Sequence, residues 1–367
     1  MNSGSSGERD DRSSHGAQPD SNSLDVKGSA AVVAAEPLDV GESSAGHGLG
    51  VTILIPVFND WDSLRELLVQ IDEVRFDDCG GPIDILIVDD CSTTPPPDEC
   101  LHYEFCAIRH VHILTLCRNQ GHQRAIAVGL CFLRQQCNCE YVAVMDGDGE
   151  DDPHGIPVLI REAKSVSNSA VVFARRAHRH EGALFKLLYL FYKGLHRALV
   201  GKSMAVGNFS VIPAKLLPSV VVISEIWNHY AAGIRHARTP YIEVLLSRAK
   251  RLAGHSRMGL VNLITHGLSS IAVYSEVVGT RVILGIISLL SILVALLLTV
   301  VAVRLFTDLA VPGWATYTSG LLIILMSQLV LIGMIFSMIT LSNRNSASFL
   351  PIRDYHHFVA NFRRVPE

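Results

Sequence analysis

The sequence predicts an α/β protein with a Rossmann-like, mostly parallel sheet, followed by two membrane-spanning helices. Two observations carry that expectation. Short apolar runs of strand length alternate with helix-period stretches between residues 51 and 174, and two long uncharged stretches lie near the C-terminus. The chain has 367 residues, of which 49% are hydrophobic. Its mean hydropathy is +0.31, high for a soluble protein and explained by the C-terminal third. A formal net charge of -4 argues against nucleic acid as a partner.

Residues 1–48 are rich in Ser, Gly, Asp and Glu without apolar periodicity, which predicts a disordered tail. Residues 49–258 form the expected α/β domain. Its strands are predicted at 51–56, 83–88, 111–116, 141–145 and 170–174, and its helices at 61–71, 120–134 and 155–165. Strands apolar on both faces and alternating with helices indicate a parallel sheet covered on both sides. Ligands of such sheets sit at the strands' carboxyl ends, so the chemistry is expected just after each run. The eight cysteines lie between Cys79 and Cys139 with no CxxC pair, which fits free thiols in a reducing compartment.

Residues 184–200 carry Lys186, Lys193 and Arg197 on one helical face, as an interfacial helix requires. Residues 259–280 read as a juxtamembrane helix, with Leu260, Leu263, Ile264, Leu268 and Ile271 at helical spacing. The spans are predicted at 281–306 and 312–342, leaving 343–367 as a cytoplasmic tail. Two crossings return the chain to its starting side. The arginines 344, 353, 363 and 364 of the tail outweigh Arg304 in the hairpin loop, which Asp308 balances, so positive-inside bias puts the tail and the α/β domain in the cytoplasm. A bacterial inner membrane is the expected location.

The polar residues come directly after the apolar runs. Pro56, Asn59 and Asp60 come after the first, although Asn59 or Asp60 could equally cap the helix at Trp61. Asp89 and Asp90 end the second. Five acids then crowd into residues 146–152: Asp146, Asp148, Glu150, Asp151 and Asp152. Such a cluster repels itself unless a cation or solvent relieves it, and its oxygens suit Mg2+ or Mn2+. A calcium loop would need a bidentate Glu at the twelfth position, where Pro157 stands.

Residues 51–257 resemble family-2 glycosyltransferases with the GT-A fold, whose strand-end motifs correspond here to Pro56–Asp60, Val88–Ser92, Arg118-Asn119-Gln120-Gly121 and Asp146-Gly147-Asp148. Within that family the chain most resembles polyprenyl-phosphate glycosyltransferases of the dolichol-phosphate mannose synthase kind. Three further features support this: Asp146, Asp148 and Glu150 with Pro153; Arg175-Arg176 and Arg179; and the run Arg248, Arg251, Gly254, Ser256, Arg257. Two positions depart from the pattern. Glu150 stands where relatives carry Gln, and Ser210 follows Phe209 where relatives usually place Arg.

The resemblance implies inverting, single-displacement transfer from a nucleotide sugar, with uridine or guanosine as base, to a polyprenyl phosphate. Asp146, Asp148 and Glu150 would hold the metal; Pro56, Asn59, Asp60, Asp89, Asp90, Arg118 and Asp146 would bind the donor. Arg175, Arg179, Arg248, Arg251, Ser256 and Arg257 would bind the acceptor or its phosphate, with Asp146, Asp148 and Arg251 catalytic. A phosphate acceptor is already anionic near neutrality, so none of the sixteen histidines is required. Transfer to a lipid hydroxyl is a rival that would need Asp151 or Asp152 as base, and a silent nucleotide-sugar binding subunit is another. A homo-oligomer is compatible with each of these readings.

Overall fold

The computed structural model describes residues 50–76, 81–97, 105–136, 139–176, 194, 197, 199–201, 206–247, 249, 252, 267–307, 313–345 and 349–365. The expected tail 1–48 lies outside them, as does most of the expected helix at 184–200.

Eight strands form one sheet, β1 (Val51–Val57), β2 (Ile83–Asp89), β3 (Ile108–Leu116), β4 (Tyr141–Val144), β5 (Val171–Arg176), β6 (Val206–Pro213), β7 (Tyr241–Leu246) and β8 (Val359–Val365), in the order β7-β5-β6-β4-β1-β2-β3-β8. The four strands β3, β2, β1 and β4 run parallel. Beyond them, β6 is antiparallel to both β4 and β5, while β7 is parallel to β5. Every residue of β1 and β4 is buried, because helices cover both faces of a parallel sheet's centre. The five expected strands are therefore present. Strands β6, β7 and β8 add to them.

Helix α1 (Trp61–Glu73) turns Trp61, Leu64, Leu67, Leu68 and Ile71 inward, the stripe expected of a helix lying on a sheet. Helix α2 (His122–Gln136) buries every residue from Ala125 to Leu133, since the sheet lies on one side and the C-terminal segment on the other. It approaches the sheet so closely that a Cβ at Gly129 would fall 2.6 Å from Leu54 Cδ1 and 2.8 Å from Val88 Cγ2. The helix starts two residues later than the sequence suggests. Gly121 has φ +89°, outside the helical region, and the N–H groups of Gln120 and Gly121 are engaged elsewhere. Helix α3 (Gly155–Ser165) has the expected bounds.

The short helix α4 (Tyr230–His236) packs against β6. Residues 267–272 are helical, and then Val273 and Tyr274 leave the helix to pack with Val200 and Ala232. The juxtamembrane element is thus interrupted before the long helices begin; its first eight residues, 259–266, lie outside the described ones.

Helices α5 (Ser275–Phe306) and α6 (Trp314–Asn345) each have 32 residues, about 48 Å at 1.5 Å per residue. Both are long and apolar enough to cross a membrane. Leu298 is 63% exposed and Ile335 58%, so these are not core helices of a soluble fold. They pack antiparallel: a Cβ at Gly279 would lie 3.4 Å from Thr340 Oγ1, and one at Gly333 would lie 3.6 Å from Ile286 Cγ2.

After α6 the chain returns to the domain. β8 pairs antiparallel with β3, and Tyr355 Oη donates to Gln135 Oε1 on α2 at 2.6 Å. Trp227 meets Phe349 and Phe358 at ring-centroid distances of 4.2 and 4.9 Å, with Arg124 over its face. The C-terminal segment, read from sequence as a tail, is part of the sheet. Both ends of the α5–α6 hairpin consequently lie on the same side.

The β3–β8 seam carries a pH dependence. His112 stacks on Phe362 with ring centroids 5.4 Å apart, and its surroundings include His110, Asp84, Arg109 and Arg364. Burial, opposed only by Asp84, lowers its pKa from 6.5 to about 4. A neutral imidazole is favoured in the fold, so its contribution is complete above about pH 6.5 and is lost as the pH falls towards 4. Thermal melts over that range should show a declining Tm for the wild type and a shallower decline for His112→Phe.

Candidate functional site

Four loops leave the carboxyl ends of the parallel strands, and hydrogen bonds between loops join them in pairs. The first loop begins at the end of β1. Pro56 is buried inside the strand opposite Val88, Phe58 is exposed, and Asn59 takes the left-handed conformation, φ +55°, that Asn tolerates better than most residues. Its Oδ1 accepts from the backbone N–H of Thr93 (2.8 Å) and Thr94 (3.2 Å), and its own N–H donates to Ser92 Oγ at 2.9 Å. Asn59 therefore ties the first loop to the second instead of capping α1. Asp60 is the cap residue by position, but its side chain makes no cap bond; Oδ1 accepts from Ser63 Oγ at 2.8 Å.

In the second loop Asp89 and Asp90 are both buried. Asp89 Oδ1 accepts from Ser92 N at 2.9 Å. Asp90 reaches across to the loop after β3, where Oδ1 accepts from Gln120 N at 2.6 Å and Oδ2 from Gly121 N at 2.8 Å. Its pKa is raised by burial, against the lowering effect of those two N–H donors and of His122. That third loop leaves Arg118 exposed and without an ion pair among the described residues.

The fourth loop carries the acids, and they divide by role. Asp151 is buried and accepts the N–H of Asp146 at 3.2 Å, closing the turn on itself. Asp152 points outward, its Oδ1 accepting from His154 N and lying 2.9 Å from His154 Nδ1. Asp148 Oδ1 accepts from Glu150 N at 3.1 Å. Asp146, Asp148 and Glu150 remain half-buried. Gly149 takes φ +75° under Leu252, whose side chain fills the place where a Cβ would stand.

Asp146 Oδ1 lies 3.0 Å from His122 Nε2, at the start of α2, and accepts from Asn208 Nδ2 of β6 at 3.3 Å. The His122 side chain is 42% exposed. Burial alone would lower its pKa, but the carboxylates of Asp146, Asp148 and Asp151 raise it.

The basic residues are placed unevenly. Arg175, at the end of β5, is 54% exposed and lies 3.9 Å from Glu243 of β7. It lines one depression with Glu150, Asp151, Phe209, Leu246 and Ser247. Ala249 N donates to Glu150 O at 3.1 Å and Leu252 N to Asp148 O at 3.3 Å, so these two residues are hydrogen-bonded to the acidic turn. Arg179, Arg248, Arg251, Ser256 and Arg257 lie outside the described residues. Ser210 is fully buried, its hydroxyl 2.8 Å from Tyr230 Oη.

Among the described residues no three His, Cys, Asp or Glu side chains form a ready metal cage. Three half-buried carboxylates in one short loop, Asp146, Asp148 and Glu150, nevertheless fit Mg2+ or Mn2+, which take one or two protein carboxylates and complete their shell with substrate phosphates. His122, Gln123 and Asn208 escaped the sequence reading. The first two come directly after the Arg118–Gly121 motif, and Asn208 sits two residues before the Ser210 departure.

The model of Glycosyl transferase family 2 matches residues 52–220. The chain is 27% identical over 296 residues to an undecaprenyl-phosphate 4-deoxy-4-formamido-L-arabinose transferase of Edwardsiella ictaluri, spanning 78% of this chain and 87% of that one. It is 30% identical over 155 residues to the protein of the same name from Pectobacterium carotovorum, spanning 42% of this chain and 45% of that one. The chain thus matches less than half the length of that second relative. Among solved structures, it is similar to glucosyl-3-phosphoglycerate synthase of Mycobacterium tuberculosis in complex with Mn2+, UDP-glucose and phosphoglyceric acid, at 15% identity and a TM-score of 0.45, over 63% of this chain and 80% of that one.

The Asp90 bridge is testable by stability. Asp90→Ala leaves two backbone N–H groups without their acceptors, at about 1–3 kcal/mol each. Asp90→Asn keeps one acceptor oxygen and removes the charge that burial penalises. Thermal or denaturant unfolding should show the Asn variant losing clearly less stability than the Ala variant.

Proposed function

We propose, taking as premise that residues 52–220 belong to glycosyl transferase family 2, that this chain transfers a sugar from a nucleotide-sugar donor to a polyprenyl phosphate at the cytoplasmic face of a membrane. The observation that carries the reading is the arrangement of the polar loops. Asp90 joins the second to the third, and His122 and Asn208 meet Asp146 of the fourth, all at one edge of the sheet.

In this reading Asp146 and Asp148, assisted by Glu150, hold a Mg2+ or Mn2+ ion. When bound, the cation neutralises charge on the donor diphosphate as a Lewis acid. Asp89 and Asp90 shape the pocket for base and ribose, together with Pro56, Asn59 and Asp60. Both oxygens of Asp90 already accept backbone N–H groups, which makes its part chiefly one of holding the Gln120–Gly121 turn in place. Arg118, exposed above that turn, is available to the nucleotide or its phosphates.

Arg175, Arg179, Arg248, Arg251, Ser256 and Arg257 draw the lipid phosphate towards the anomeric carbon through charge-assisted hydrogen bonds. A phosphate oxygen then attacks that carbon as the bond to the nucleoside diphosphate breaks, inverting the configuration. The attacking oxygen needs no base, because the second ionisation of a phosphomonoester lies near pH 6. Helices α5 and α6 cross the bilayer and return β8 to the catalytic side. Arginines on that side, against the single Arg304 in the last turn of α5 at the far end, orient the domain to the cytoplasm, as in a bacterial inner membrane.

The test is a screen of UDP- and GDP-sugars with the purified full chain, a polyprenyl phosphate and Mn2+ or Mg2+. A product labile to mild acid is expected with one donor class, and Asp148→Ala should lower kcat roughly 10²–10³-fold, as loss of a charge-stabilising group does. Transfer only to a lipid hydroxyl, or near-normal turnover by Asp148→Ala, would contradict the proposal.

A further inference from the structure

A chain of side-chain amides runs from the helix layer to Asp146, and its orientation is set at its far end. The backbone N–H of Tyr230, on α4, donates to Gln123 Oε1 at 2.7 Å. A backbone N–H can only donate, so that oxygen is fixed as the acceptor and Gln123 Nε2 must face the other way. It donates to Asn208 Oδ1 at 3.1 Å. With its oxygen so engaged, Asn208 presents Nδ2 to Asp146 Oδ1 at 3.3 Å and lies 3.0 Å from His122 Nε2. Asn208 is 7% exposed on β6, so solvent offers it little alternative. Three elements, α4, α2 and β6, thus hold one carboxylate oxygen of the acidic loop.

Resting on the metal-dependent transfer proposed above, we infer that Asn208 is a positioning residue for Asp146, kept in register by Gln123. Asn208 touches neither substrate nor cation in this role. It sets the rotamer of a metal-binding carboxylate, and Gln123 prevents the Asn208 amide from turning its oxygen towards that carboxylate. Outer-shell partners of this sort usually change metal affinity by 10–100-fold when removed.

The test measures Mn2+ binding to the purified full chain, with and without a nucleoside diphosphate, by the loss of the free-ion paramagnetic resonance signal. Asn208→Ala, and the isosteric Asn208→Asp and Gln123→Glu, should weaken Mn2+ binding 10–100-fold and raise by the same factor the Mn2+ concentration for half-maximal transfer. Their kcat at saturating Mn2+ should change far less. The double variant Gln123→Glu with Asn208→Ala should bind no more weakly than Asn208→Ala, because the two act in series. Wild-type Mn2+ affinity in Gln123→Glu and Asn208→Asp, or multiplied losses in the double variant, would overturn the inference while leaving the transfer reading intact. Should Asn208→Ala fail to fold, the two isosteric variants decide. A wild-type chain that transfers sugar without binding Mn2+ or Mg2+ would overturn the metal reading and this inference with it.

Discussion

Five carboxyl groups within seven residues, at the end of a strand with no exposed side chain, are the constraint around which the rest is arranged. Like charges this close cannot share a low-dielectric edge unrelieved. The fold deals with each separately: Asp151 turns inward to a backbone N–H, Asp152 pairs with His154, Asp148 accepts from the turn itself, and Asp146 meets His122 and Asn208. What remains is three half-buried acids, Asp146, Asp148 and Glu150, of which Glu150 lines a depression with Arg175. That residual negative field is what a divalent cation and a diphosphate would complete.

The sheet and the apolar hairpin are coupled by the return of the chain. β8 pairs with β3, and Phe358 O accepts from Cys117 N immediately before Arg118. A segment on the far side of both long helices therefore supports the loop that faces the proposed donor. At the other end, Val273 and Tyr274 pack on Val200 and Ala232 just before α5 begins. The α/β domain is gripped at entry to and exit from the hairpin. In the proposed reading, that grip would hold the acidic loop at one height above the bilayer.

Strands β1 to β5 were legible because each is a local apolar run bounded by polar residues. β6 was not, since Asn208 and Ser210 interrupt it, and both are buried through partners far away in sequence. β7 has partly exposed residues along its length, as an edge strand does. β8 carries two arginines and comes after a hairpin, so it read as a tail. The acids were equally legible as a run. The contacts that organise them were not, because His122 and Asn208 meet Asp146, and Gln123 meets Asn208, only once α2, β6 and β4 are side by side. Asn59 and Asp90 were singled out as donor ligands, yet much of their bonding is spent joining loops, a use that no local pattern reveals.

The central claim is that these carboxylates grip a cation against a diphosphate. The most direct measurement is anomalous diffraction at the manganese edge from crystals of the full chain grown with Mn2+ and a nucleoside diphosphate. A peak about 2.1 Å from oxygens of Asp146 or Asp148 and of the diphosphate is the predicted result. A diphosphate bound with no metal at these acids, or manganese bound at a place they do not reach, would contradict the account.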